Sequence, residues 1–161
     1  MLALSKKCDY ALIALAYLAS PVGRVASAAK IAQRFDLPVR VLMNVLKQLA
    51  KEDLVHSARG SRGGYSLSCD PRRITLGQLV RIIEGPIELS KCLPKTDTAK
   101  HCSVQNQCPI RWPVARVQEK IEHFLDEITI AHITAGMQEL AYHGDVETTE
   151  ITENEVTDLS G

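Results

Sequence analysis

The sequence predicts a mainly α-helical fold: three helices lead into a two-stranded hairpin, then a cysteine-bearing loop and a long C-terminal helix. Three observations carry this expectation. Apolar residues in the first fifty positions recur at helical spacing. Between residues 54 and 68 the pattern changes to short alternating runs around a glycine-rich "RGSRGG". Beyond residue 109, Ile110, Val114, Val117, Ile121, Phe124 and Ile128 repeat at alternating steps of four and three.

The first helix is expected from about Ser5 to Ser20, with Leu4, Cys8, Leu12, Leu15 and Ala19 on its buried stripe, and "SPVGR" breaks it. Ser27 caps a second helix, "AAKIAQRF", which ends near Asp36. Pro38 fits the first turn of a third, "PVRVLMNVLKQLAKED", where its missing N–H costs little. Val41, Leu42, Val45, Leu46 and Leu49 of that helix face the core. Arg40, Asn44, Lys47 and Lys51 then fall on one exposed polar stripe.

"LVHSA" and "YSLS" read as the strands of a hairpin, with glycines at 60, 63 and 64 permitting the positive φ its turn needs. Thr75 and Gln78 have capping-box spacing at the head of "TLGQLVRIIEG", and Gly85 with Pro86 stops that helix. Pro109 and Pro113 open the long helix, which runs to about Ile128. Its apolar seam suits another helix, of this chain or of a second copy. "TIAHITAGMQELAYH" adds a short helix. From Gly144 the chain has no positive charge and few large apolar residues, so a disordered acidic tail is expected.

Helix, helix, helix and hairpin in that order make a winged helix-turn-helix. The third helix would enter the major groove of double-stranded DNA with Arg40, Asn44, Lys47 and Lys51, and Arg59 and Arg62 at the wing tip would reach the backbone or minor groove. Charge agrees. The 161 residues have a net charge of zero, yet residues 1–84 hold 13 Lys and Arg against 6 Asp and Glu, and residues 85–161 hold 6 against 13. A basic front half suits a polyanion. No phosphate loop and no nucleophile–base arrangement points to an enzyme.

Five cysteines, an odd number, argue against a disulfide scaffold. The N-terminal pattern is that of a folded amphipathic helix rather than an export signal, and no apolar run reaches the ~18 residues of a membrane span. A cytoplasmic protein is expected. Three of the cysteines, Cys92, Cys102 and Cys108, lie in one polar stretch spaced C-x9-C-x5-C, without the tight pair of a zinc knuckle. Such thiolates can hold an iron–sulfur cluster, with His101, Asp9, Cys8 or a partner-chain group as the fourth ligand. Structural zinc and a thiol–disulfide switch are the competing uses. Cys69 has no assigned role.

The phrases "LSKKCDYALIALAYLA", "RGSRGGYSLS" and "ITLGQLVRIIEGPIELSKC", with the three-cysteine loop, resemble the iron–sulfur winged-helix repressors of the Rrf-two (Rrf2) family over residues 2 to about 135. "EGPIELSKC" and "CSVQNQCPIRW" are most similar to its branch of regulators of the SUF iron–sulfur assembly system. The resemblance implies a homodimer in which the long helix crosses to the partner, with Cys92, Cys102 and Cys108 as cluster ligands. In the IscR type a histidine three residues after the last cysteine completes a two-iron cluster; here that position is Arg111. In the NsrR type a helix-1 aspartate of the other subunit completes a four-iron cluster, and the matching residue is Asp9. A four-iron, four-sulfur cluster on three cysteines and Asp9 is therefore favoured, with a two-iron, two-sulfur cluster as the alternative.

The implied organisation is a DNA-binding domain over 1–85, a cluster loop over 86–108, a dimerisation helix and short following helix over 109–142, and the acidic tail over 143–161. The implied function is repression of iron–sulfur assembly genes, switched by the cluster. A nitric-oxide- or redox-responsive repressor is the nearest competitor.

Overall fold

The computed structural model describes residues 4–21, 24–60, 63–90 and 107–135. Helix α1 spans Lys6–Ala19, α2 Ala28–Phe35 and α3 Val39–Lys51; strands β1 (Val55–Ala58) and β2 (Gly64–Leu67) follow, then α4 (Leu76–Glu84) and α5 (Arg111–Glu127). The two strands pair antiparallel with Val55 opposite Leu67 and Ala58 opposite Gly64. Ala26 adds a one-residue bridge on the outer side of Tyr65, exchanging both backbone hydrogen bonds at 3.0 and 2.8 Å.

Local chemistry sets the helix ends. Ser27 Oγ accepts from the Lys30 N–H at 3.1 Å, and Thr75 Oγ1 accepts from the Gln78 N–H at 3.1 Å, each satisfying a donor the first turn leaves open. Asp36 takes the left-handed conformation at the end of α2 (φ +51°) and turns the chain toward α3. Pro38 sits one residue before α3, as its N-cap, and α3 ends at Lys51.

In the wing, Gly60 has φ +116°, and Gly63 and Gly64 do not share the left-handed region. Gly64 is needed for another reason: a Cβ there would come within 2.7–2.8 Å of the Ala26 carbonyl group. The bridge to Ala26 therefore excludes a side chain.

The core joins Leu15 of α1, Ile31 of α2, Leu42, Leu46 and Leu49 of α3, Val55 of β1, Ile74 and Leu79, all essentially inaccessible. Each such side chain contributes ~1.5–3 kcal/mol of burial. On α3, Leu42, Val45, Leu46 and Leu49 are buried as expected, and Val41 is only half-buried. On α1 the expected stripe is corrected. Cys8, Ala11, Ala14, Leu15, Ala16 and Leu18 are buried, whereas Leu4 is exposed and Leu12 half-buried. Helix α1 packs on α3, α4 and β2 at once, so its small residues are enclosed wherever a neighbour comes close.

The core also crosses the expected boundary at residue 85. Backbone bonds from Leu76 N–H to Ile128 O (2.7 Å) and from Ile130 N–H to Ile74 O (2.9 Å) tie the end of α5 to the head of α4. Ile130 is fully buried among the winged-helix residues, and Ile133 packs against them. The chain is helical again over 130–135, where Thr129 and His132 cap reciprocally at 3.2 and 3.3 Å. The expected acidic tail over 143–161 lies outside the described residues.

Candidate nucleic-acid interface and metal-ligand residues

Because α3 buries one face completely, the opposite face is free. Arg40, Asn44, Lys47 and Lys51 are all exposed along it. Gln48, on the flank of that stripe, donates from Nε2 to the Ile82 carbonyl of α4, which holds α3 in rotation about its axis. Arg59 is exposed at the end of β1, where the wing leaves the body; Arg62 lies outside the described residues. Arg40, Lys47, Lys51 and Arg59 are therefore exposed on the two elements that a winged helix presents to DNA.

Asp9 is exposed in the first turn of α1, and its carboxylate has no hydrogen-bond or ion-pair partner among the described residues. Cys108 is a free, half-buried thiol just before α5, likewise without a side-chain partner there. Ligation by either would break no side-chain hydrogen bond or ion pair among the described residues. Thiolates suit an iron–sulfur cluster, and a carboxylate is a weaker ligand to it. Cys8 does not fit: it is fully enclosed with Val80 and Ile87, and burial, with Glu84 and Asp9 nearby, pushes its thiol up to about 11. Cys92, Cys102 and His101 lie outside the described residues. Among the described residues, no three His, Cys, Asp or Glu side chains gather as a metal site.

Helix α5 starts at Arg111, two residues later than expected, and the Arg111 guanidinium lies 5.7 Å from the centre of the Trp112 ring. Only Gln118 of this helix is buried. Its amide accepts from the Leu89 N–H at 3.1 Å and donates to Glu122 at 3.2 Å, so it is satisfied. Ile110, Val117, Phe124 and Trp112 are 62%, 51%, 60% and 72% exposed. Val114, Ile121 and Ile128 of the same seam are half-buried, so among the described residues the seam is covered on one side only.

One feature had no local signal in the sequence. A Cβ on Gly77 would collide with the Asp126 carboxylate, so the glycine lets the end of α5 lie against the first turn of α4. There Arg81 donates to Asp126 at 2.6 and 3.2 Å, and holds that carboxyl below its usual range. Only the folded chain brings residues 77, 81 and 126 together.

The fold and its basic face define a winged-helix regulator of the DNA-binding kind. The family model described as "Iron-dependent Transcriptional regulator" matches residues 4–136, and the chain belongs to this family, Rrf2. An rrf2-like helix-turn-helix transcriptional regulator of Rhodobacter capsulatus is 35% identical over 139 residues, 83% of this chain and 93% of that protein. A helix-turn-helix transcriptional regulator of Aquifex aeolicus is 31% identical over 121 residues, 75% and 83% of the two chains.

Among solved structures, the global cysteine regulator CymR of B. subtilis aligns with a TM-score of 0.65 at 28% identity, covering 84% of this chain and 98% of that one. IscR of T. potens aligns with a TM-score of 0.63 at 29% identity, covering 86% and 90%. The family's members are transcriptional regulators rather than enzymes. No helix among the described residues is long and apolar enough to cross a membrane.

Proposed function

We propose that the chain is a cytoplasmic, homodimeric repressor of iron–sulfur cluster assembly genes, and that a bound iron–sulfur cluster sets its affinity for operator DNA. The observation that carries the cluster reading is that Cys108 beside α5 and Asp9 at the head of α1 have no side-chain partner among the described residues, together with the presence of cysteines at 92 and 102. Bound there, a cluster would supply a link sensitive to iron, oxygen and nitric oxide.

The chain's own residues supply the rest. The seam of Ile110, Val117 and Phe124 pairs with its copy, which presents two α3 helices to a roughly palindromic operator. Cys92, Cys102 and Cys108 of one subunit and Asp9 of the other then tie the loop ahead of α5 to the helix that packs on α3. A bias of ~1.4 kcal/mol on the placement of the two α3 helices is tenfold in DNA affinity. Carboxylate ligation by Asp9 makes the assembly easier to lose than four thiolates would, which suits a sensor.

Purification without oxygen, followed by absorbance and by iron and acid-labile sulfide analysis, tests this. Four irons and four sulfides per chain, falling sharply in Asp9→Ala, are expected. Two irons per chain retained in Asp9→Ala would move the fourth ligand toward His101. A colourless protein carrying zinc, or reversible thiol oxidation without iron, would replace the cluster with a zinc or thiol switch. That second reading draws on the likeness to the cysteine regulator CymR.

A further inference from the structure

We propose that Gln48 is a positioning residue: its hydrogen bond to the Ile82 carbonyl hands the state of the cluster from α4 to the DNA-reading helix α3. This deepens the function proposed above and rests on it. Helix α4 lies against α1, α3 and α5. Three consecutive residues of α4 make one contact with each. Val80 is buried with Cys8 of α1, Arg81 donates twice to Asp126 of α5, and the Ile82 carbonyl accepts from Gln48 Nε2 of α3.

The joint with α3 is written in the sequence. In an α-helix each carbonyl accepts from the N–H four residues on, and residue 86 is a proline, which has none. The Arg81 carbonyl takes the Gly85 N–H at 3.1 Å, and the Ile82 carbonyl is left without that partner. The Gln48 amide fills the place. Gln48 directly follows Lys47 and lies one turn beyond Asn44, both on the exposed stripe of α3. Fixing its amide on α4 therefore fixes the rotation of that stripe about the helix axis.

The joint with α5 is made at several points. Backbone bonds join Leu76 to Ile128 and Ile130 to Ile74, the Arg81 fork holds Asp126, and Gly77 leaves room for that carboxylate. The head of α4 and the end of α5 accordingly form one block. On the other side, Cys8 is fully enclosed with Val80 and Ile87. The proposed ligands belong to the two elements flanking α4: Asp9 follows Cys8 on α1, and Cys108 precedes α5 by three residues. A cluster that draws α1 of one subunit toward the start of α5 in the other acts on α4 from both sides. The bond at Ile82 passes the resulting shift to Lys47 and Asn44.

The test uses the full chain, loaded with its cluster or stripped of it, on a duplex that the loaded wild-type protein selects from a random pool. Binding is followed by fluorescence anisotropy without oxygen. In the wild type the two affinities should differ by about tenfold or more. Gln48→Met keeps the side-chain length and removes the donor, so the difference should fall to about twofold or less. Iron content, sulfide content and the absorbance spectrum should stay at wild-type values. Arg81→Gln leaves the backbone bonds of the other joint in place, so the difference should fall only to about fourfold. The double variant should match Gln48→Met alone, because the two joints act in series.

A full difference retained by either single variant, whether or not both affinities drop, overturns the route through α4 and leaves the regulator standing. Loss of iron from Gln48→Met also overturns it, since Gln48 would then serve the cluster site itself. Equal affinities of loaded and stripped wild-type protein would sink the cluster-switched regulator, and this route with it.

Discussion

Helices α3 and α5 carry the same kind of apolar repeat and meet opposite fates. On α3, Leu42, Val45, Leu46 and Leu49 are each no more than 2% exposed. Ile110 at the head of α5, and Val117 and Phe124 on it, remain more than half exposed, and the only buried residue of that helix is a glutamine. Periodicity alone states that a helix has an apolar face; it does not state which chain covers it. For α3 the cover is α1, α2 and α4 of the same chain. For α5, among the described residues, α4 and the Cys8–Ile87 cluster take one flank, and the proposed dimer supplies the rest. Large exposed apolar side chains in one row are the mark of such a surface.

The contrast can be broken most strongly from the α3 side. Leu46→Ala should destabilise the fold by ~2–5 kcal/mol in urea unfolding, because the emptied site lies between packed helices. A cost near that of a surface change would mean the core is elsewhere.

Phe124→Glu is the matching change on α5. It should raise the dimer dissociation constant on the order of a hundredfold, about 2.7 kcal/mol, in sedimentation equilibrium. The stability of the single chain should move by no more than ~0.5 kcal/mol. Unfolding instead of dissociation would put the seam inside the chain's own core.

The junction of α4 with α5 sharpens the comparison. Gly77→Ala should cost ~1–3 kcal/mol, since the new methyl meets the Asp126 carboxylate. In an Asp126→Ala background that cost should shrink, a coupling that a double-mutant cycle measures directly.

The smallest effect is acid dependence at the same place. Asp126 titrates below its usual value when folded, chiefly through its hydrogen bond from Arg81. Its contribution is therefore full above the unfolded value near ~3.9 and fades as pH falls through the lower folded value. Both side chains are about 40% exposed, so the contribution is at most ~1 kcal/mol. Arg81→Gln should remove that share of the acid loss, visible as a flatter stability curve below pH ~4.

What the sequence made legible follows from range. Ser27 and Thr75 act on N–H groups three residues away, so both caps could be read directly. The polar stripe of α3 was legible because the opposite face is continuous Leu and Val. The burial pattern of α1 was not, because Ala11, Ala14 and Ala16 carry almost no amphipathic signal and are enclosed by partners distant in sequence. Ile130 joins a core centred more than fifty residues upstream, and Gly77 exists for an atom on another helix. Of the candidate cluster ligands, Asp9 and Cys108 are placed and accessible, and the cysteines at 92 and 102 fall outside the described residues.

The proposed regulator couples a cluster to its DNA-reading helix. The most direct measurement compares cluster-loaded and cluster-stripped protein on the duplex that the loaded protein selects from a random pool, by anisotropy without oxygen. The dissociation constants should differ by at least about tenfold, with Asp9→Ala behaving as the stripped form in both preparations. Equal affinities for loaded and stripped wild-type protein would contradict that coupling.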